Sequence, residues 1–409
     1  MKSLRSPFKD FPPAVAALTA VAFFVAVGFG LIIPAIPIFA SSFGVSATAI
    51  GIVIGAFAVA RLVSGLFAGK LVERYGERLV LGTGLLMVAF FTFLTALAQN
   101  YEQLLIFRTA GGLGSSMFSV AAGSLLLRSV DDTHRGRAQS LFNGGFLFGG
   151  ITGPAFGGIL MNISLRAPFF IYTITLVAAA LTALTRLTAQ KLGHESSKPE
   201  GDGVAMRIRE AMKIPSYRIA LLLTFIGSWV LFGLRSSLVP LFVTDELGGS
   251  TTVVGLGFTL AGIANGLILL RAGKITDLKG RRYALLLGAF FVIAGLAVLT
   301  LAFNPLLYIV AMVILGFGGA FFGSAPAALV GDSVKGRGGR VIAFYQMAGD
   351  AGMMIGPILL GIIKDQASFH AAFLATLLLF TVSASAIFAL PKGAPAKDED
   401  SRPLSVRED

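Results

Sequence analysis

GKLVERYGER, residues 69–78, and GKITDLKGRR, residues 273–282, are two versions of one stretch, set 204 positions apart. Gly69 answers Gly273, Glu73 answers Asp277, Gly76 answers Gly280 and Arg78 answers Arg282. Each reads as a short basic loop between two long apolar runs. A polar loop repeated inside so hydrophobic a chain predicts a membrane protein built from two similar halves.

The repeat reaches well beyond these loops. Gly30, Pro37 and Phe39 answer Gly233, Pro240 and Phe242 at an offset of 203. Gly112 and Gly114 answer Gly316 and Gly318 at 204, and Arg137, Gly153 and Pro154 answer Arg340, Gly356 and Pro357 at 203.

Of the 409 residues, 55% are hydrophobic and only 13% charged, with a mean hydropathy of +0.83. Soluble domains carry about 25% charged residues. The deficit is spread along the chain, which excludes a soluble domain with one anchor. Twelve apolar spans fall near 14–40, 46–70, 79–98, 103–127, 139–161, 167–187, 217–243, 252–271, 283–303, 305–330, 341–363 and 368–390. Each can cross a bilayer as a tilted helix, which needs roughly 20 residues. The expected fold is an all-α integral membrane protein, twelve transmembrane helices in two six-helix halves. The halves are bounded at 1–187 and 216–390, with a linker at 188–215 and a disordered tail at 391–409.

There is no Cys, which excludes disulfides and thiolate metal sites, and the three His lie in or beside predicted loops. No nucleophile–base pair or metal cluster stands out, so neither an enzyme nor a cofactor is expected.

A net charge of +12 on a soluble chain would point to nucleic acid. Here 28 of the 33 Lys and Arg fall in the N-terminus, the even-numbered loops and the tail. Only Arg166 and Lys364 lie in odd-numbered loops, while Arg61, Arg108 and Arg235 lie inside spans. The positive-inside rule then places both termini in the cytoplasm. The expected surroundings are the lipid bilayer of a plasma membrane, the inner membrane of a bacterium, with no nucleic-acid partner. The first apolar run is long and carries Gly28, Gly30, Pro34 and Pro37, so it reads as a resident helix and not as a cleaved signal. In the linker, Val204, Ile208 and Met212 recur every four residues opposite Arg207, Arg209 and Lys213. That spacing suits a helix lying on the membrane surface, and it equally suits a basic connector.

Taken together, these motifs resemble the major facilitator superfamily over nearly the whole chain. GKLVERYGER is similar to the family's GxLaDrxGrk loop signature. LLIFRTAGGLGSS in span 4 places Arg108, Gly112 and Gly114 as in RxxxGxG. GGITGPAFGG in span 5 places Gly149, Gly153, Pro154, Gly157 and Gly158 as in gxxxGPxxGG. The resemblance implies that Glu73, Arg74 and Arg78 latch the outward-open state. The second copy, with Asp277, Arg281 and Arg282, would do likewise. Glu73 departs from the family's Asp, and Glu77 stands where a basic residue is common. The span 5 signature marks antiporters and exporters in the family, and its glycines are expected to form a dry, bendable contact between the halves.

Four ionisable residues lie deep in spans: Arg61, Arg108, Arg235 and Asp350. Each costs about 2.5–3.5 kcal/mol at mid-helix on insertion scales, so each should face a cavity or a partner. Asp350 is the only acid among them and the leading candidate for a coupling proton. Arg61 on span 2 and Asp350 on span 11 lie at similar depths. The resemblance packs these two spans across the interface, so an Arg61–Asp350 interaction that differs between states is expected; a static ion pair is the other reading. Arg108 matches the signature Arg that the family associates with proton coupling. Arg108 and Arg235 would otherwise favour an anionic substrate or bond backbone carbonyls. Asn143, Asn265, Tyr345 and Gln346 complete the candidate cavity.

The function expected is proton-coupled efflux of a small amphipathic molecule by a monomeric transporter, with small-molecule substrate and protons as partners. A proton symporter importing a sugar or organic acid, and a non-transporting membrane sensor, are the rivals.

Overall fold

The computed structural model describes residues 11–130, 135–187, 208–333 and 339–391. The described chain forms twelve long apolar helices. In order they are α1 (Pro13–Ser41), α2 (Ala47–Tyr75), α3 (Glu77–Leu97), α4 (Tyr101–Arg128), α5 (Arg135–Ile163) and α6 (Ala167–Arg186). The second half holds α7 (Pro215–Glu246), α8 (Thr251–Leu278), α9 (Arg281–Thr300), α10 (Pro305–Ser333), α11 (Gly339–Gln366) and α12 (Phe369–Ala389). Ile159, Ile174, Leu181, Leu270, Phe290 and Val382 are each at least half exposed. Water would penalise so many bare side chains, whereas hydrocarbon does not, and helices satisfy their own backbone groups there.

The two ends of the bundle are built differently. At one end, helices begin behind polar caps: Ser46 Oγ accepts from Ala49 N, Asn100 Oδ1 from Gln103 N, Ser250 Oγ from Val253 N and Ser368 Oγ from Ala371 N. The other end carries the basic signatures, and they are not loops as the sequence suggested. α2 runs to Tyr75 and α3 starts at Glu77, so the first copy is helix apart from Gly76. Leu, Lys, Glu and Arg are strong helix formers. The chain turns only where glycine accepts a positive φ, +81° at Gly76 and +89° at Gly280. Of the proposed linker helix, the described residues hold a short turn at Ile208–Ala211; Val204 and Arg207 lie outside them.

Within each half, α1 crosses α5 and α7 crosses α11 at paired glycines. A methyl group on Gly30 would stand 3.0 Å from Gly153 Cα, and one on Gly233 would stand 2.9 Å from Gly356 Cα. α7 departs from regular geometry over Trp229–Arg235 and Phe242–Glu246, where it widens to π-helix. Pro240 lacks the amide that would close the preceding turn, and wide turns are one way for a helix to absorb that loss.

Candidate functional site

The halves meet along two equivalent seams, α2 on α11 and α8 on α5. Away from the basic signatures the seams are tight. A methyl on Gly55 would lie 2.8 Å from the Met354 carbonyl oxygen, and one on Gly255 would lie 3.0 Å from Gly158 Cα. Gly69 and Gly273 lie on the same helix faces as Gly51 and Gly255, five turns or about 27 Å further along. A methyl on either meets nothing within 4 Å among the described residues. The seams therefore splay toward the basic end and close at the other.

Two matching contacts lock the closed end. Asp365, near the end of α11, accepts from Ala47 N at 2.9 Å and Thr48 N at 2.8 Å, and from Thr48 Oγ1 at 2.7 Å. A carboxylate there satisfies orphan donors and meets the positive end of the α2 dipole. At the repeat position on α5, Asn162 accepts from Thr251 Oγ1 at 2.7 Å and donates to Thr252 Oγ1 at 2.6 Å.

Arg61 and Asp350 stand where the α2–α11 seam begins to part. Arg61 Nη2 lies 3.9 Å from Asp350 Oδ1, a charge contact beyond hydrogen-bond length, and both side chains are partly exposed. The repeat-equivalent positions on the other seam are Asn265 and Leu147, so only one fork carries charge.

Two chambers open beside the forks. One, of about 280 Å³, draws its walls from both halves, including Phe29, Phe57, Arg61, Arg108, Phe232 and Ser236. The other, of about 390 Å³, lies mainly in the second half and includes Arg235, Asn265 and Tyr345. Phe146 borders both. Arg108 packs its guanidinium 4.2 Å from the Phe57 ring centre, and Arg235 packs 5.2 Å from that of Phe258. The Nε of each is buried without a hydrogen-bond acceptor among the described residues. Asn143 and Gln346 line neither chamber. Both are exposed, and Asn143 accepts from Gln139 Nε2 at 3.0 Å.

The basic signatures act inside their own halves. Arg78 donates to the Leu184 carbonyl at the end of α6, and Arg282 Nη1 donates to that of Leu390 beyond α12 at 3.0 Å. Glu77 is buried and pairs with Arg128 at 3.0 Å. At the corresponding positions Arg281 pairs with Asp332, also at 3.0 Å, and with Asp277 at 2.5 Å. The first half therefore keeps the same bridge with its charges exchanged. Arg74 lies over the Tyr75 ring, while Glu73 is exposed and makes no ion pair among the described residues.

The span 5 glycines also divide their work, which corrects the expected inter-half contact. Gly149, Gly153 and Gly157 face α1 within the first half, and only Gly158, with the Pro154 carbonyl, meets α8 across the seam. Four-residue spacing sets the first three on one face, and Gly158 lies one step around the helix from them.

The sequence pattern of the Major Facilitator Superfamily matches residues 18–237 and again 219–407. The chain belongs to the major facilitator superfamily. It is 27% identical over 372 residues to the multidrug resistance protein MdtG of Escherichia coli, covering 87% of this chain and 88% of that one. It is 26% identical over 234 residues to multidrug resistance protein 1 of Bacillus subtilis, covering 57% of this chain and 59% of that one. A bacterial homolog of the human lysosomal transporter Spinster, in an inward-facing and unoccupied conformation, superposes with a TM-score of 0.74 at 16% identity. That match covers 92% of this chain and 96% of the other. The nucleoside transporter NupG, in a mutant form, gives 0.74 at 14% identity over 92% and 99%.

As a superfamily member, the chain is a multi-pass membrane transporter. Sequence reasoning missed Phe57 and Phe258 beneath the arginines, the Asp365 and Asn162 locks, and the Glu77–Arg128 bridge. The repeat held a signal for the last two: Asn162 and Asp365 stand 203 apart, and Arg128 and Asp332 stand 204 apart.

Proposed function

We propose that this transporter exports small amphipathic compounds in exchange for protons, by alternating access across a plasma membrane. The charge bias of the loops supports placing the basic end in the cytoplasm. In that orientation the splayed seams make an inward-facing state. The moving bodies are the helices within 1–187 and 216–390, acting as a monomer. The names of the similar proteins from E. coli and B. subtilis support the choice of export.

The observation that carries the coupling is the Arg61–Asp350 pair at the fork. Closing the basic end buries that fork. With Asp350 ionised, Arg61 is buried beside its counter-ion. With Asp350 protonated, Arg61 is buried alone, and a buried charge that loses its partner costs roughly 3–5 kcal/mol. Protonation from outside thus drives the return to the inward-facing state, and proton release to the cytoplasm permits the next closure with substrate aboard. One inward charge yields about 2.3 kcal/mol per 100 mV, enough for roughly a 50-fold substrate gradient. Glu73, exposed and without an ion pair among the described residues, fits a latch released in this state.

The test uses protein in liposomes holding a pH-sensitive dye, under an imposed proton gradient, with a panel of cationic, neutral and anionic amphipaths. Proton movement elicited by a compound and lost in Asp350→Asn is the expected result. Proton movement that persists in Asp350→Asn removes the assignment of the coupling residue, and substrate moving with the proton makes the protein an importer.

A further inference from the structure

We infer that the compound carried is an organic anion, and that Arg108 is the residue that takes its acid group. This rests on the transport reading for its setting, although the binding chemistry stands apart from direction and coupling.

The interior of the bundle is unbalanced in charge. Among the described residues, Arg61, Arg108 and Arg235 lie deep in the spans with a single carboxylate at such depth, Asp350, and it lies beside Arg61. Arg108 is 8% exposed, its Nε has no acceptor, and it forms no ion pair among the described residues. Guanidinium cannot shed its proton to escape that burial. The Phe57 ring holds the cation in place through its π face, but a ring supplies no lone pair in the plane of the N–H groups. The charge lacks a counter-ion among the described residues, and an anion arriving from the chamber at the exposed part of the guanidinium supplies one. The fork of N–H donors matches a carboxylate, sulfonate or phosphonate.

The walls describe the rest of the ligand. Around Arg108 the chamber offers Phe29, Ile33, Ile54 and Phe118, with serine hydroxyls at Ser115, Ser119 and Ser236. A compact apolar or aromatic body bearing one acid fits such a lining. A cation would meet Arg61 and Arg108 together in a chamber whose lining includes no carboxylate among the described residues. The chamber takes walls from both halves, so its shape changes as the halves move. Arg61 also opens onto it. An anion held by Arg108 therefore occupies the chamber that the Arg61 of the coupling pair also lines.

Three probes with one body test this: 2-naphthoate, 2-naphthamide and 2-naphthylmethylammonium, binding to protein in nanodiscs with no gradient present. The expected result is that the carboxylate binds wild type at least about tenfold tighter than the amide, with the ammonium weakest. In Arg108→Gln the preference disappears while the amide still binds, which also shows that the variant is folded; Arg108→Lys keeps a preference for the anion. Equal or tighter binding of the amide or the ammonium, no carboxylate binding at millimolar concentration, or an undiminished preference in Arg108→Gln overturns the inference. Nanodiscs with and without anionic phospholipid identify the source. Competition by the lipid assigns the anion to the bilayer, and its absence assigns it to a water-borne solute; both support the site. These outcomes are read without proton movement, so an anion preference in a protein that moves no protons would retire the antiport reading and leave this one standing.

Discussion

Arg61 Nη2 lies 3.9 Å from Asp350 Oδ1, a charge contact across the α2–α11 seam. On one side of them a methyl on Gly55 would crowd the Met354 carbonyl, and on the other a methyl on Gly69 would meet open space. The same fork on the α5–α8 seam uses Asn265 and Leu147, so a fork of this shape forms without a charge pair. The charge pair is therefore not needed to shape the fork, which is why the proposed function gives it a coupling role.

Gly69 offers a test of that motion. Leucine there has room among the described residues of this structure and exceeds glycine in helix propensity by about 1 kcal/mol. Gly69→Leu should therefore unfold at the wild-type temperature or slightly above, yet transport should fall at least several-fold because the basic ends of α2 and α11 cannot close. Thermal unfolding and flux measured on the same preparation check this. Full transport with normal stability would mean that this face never approaches α11.

The Asp365 lock predicts the opposite bias. Asp365→Ala removes three hydrogen bonds at the start of α2, and losing a cap of this kind costs about 1 kcal/mol. The closed end should open about fivefold more often. Ser236 lines the chamber, and the chain has no cysteine of its own. Labelling of Ser236→Cys by a membrane-impermeant maleimide from the closed side should accelerate by that factor. Asn162→Ala, at the equivalent lock, should act the same way.

The exchanged bridges predict a rescue. Glu77→Arg sets two cations together and orphans Arg128, destabilising the first half by roughly 1–3 kcal/mol. Adding Arg128→Asp copies the Arg281–Asp332 arrangement and should restore most of the loss. Thermal unfolding of the two single variants and the double variant measures the coupling. Additive losses would show that the Glu77 site tolerates only an acid.

Much of this was legible in the residues. A near-constant offset exposed the duplication, apolar runs gave the twelve helices, and matching depths, joined to the packing that the family resemblance implies, paired Arg61 with Asp350. What the residues hid has physical causes. Helices outlast the membrane, so charged Lys70, Glu73 and Arg74 read as loop while their propensities kept them helical. Gly149, Gly153 and Gly157 announce close approach without naming the neighbour, and only the three-dimensional path assigns them to α1. Asn143 and Gln346 are polar on inward-running helices, but a polar side chain near the basic end can face outward as readily as into a chamber. Phe57 is one of 35 phenylalanines, and nothing in composition distinguishes the ring under a guanidinium from those facing lipid.

The most direct measurement is the distance between spin labels at Tyr75→Cys on α2 and Ile342→Cys on α11. Both are exposed at the basic end of the same seam. In wild type, lowering the pH should shift the distribution toward the long, inward-facing distance as Asp350 takes up its proton. Asp350→Asn should sit at that long distance at every pH, and Arg61→Ala with Asp350→Asn should regain the short one, because no unpaired charge is then buried on closing. A wild-type distribution that ignores pH, or an Asp350→Asn distribution that still follows it, would contradict the claim that this pair couples protons to the movement of the halves.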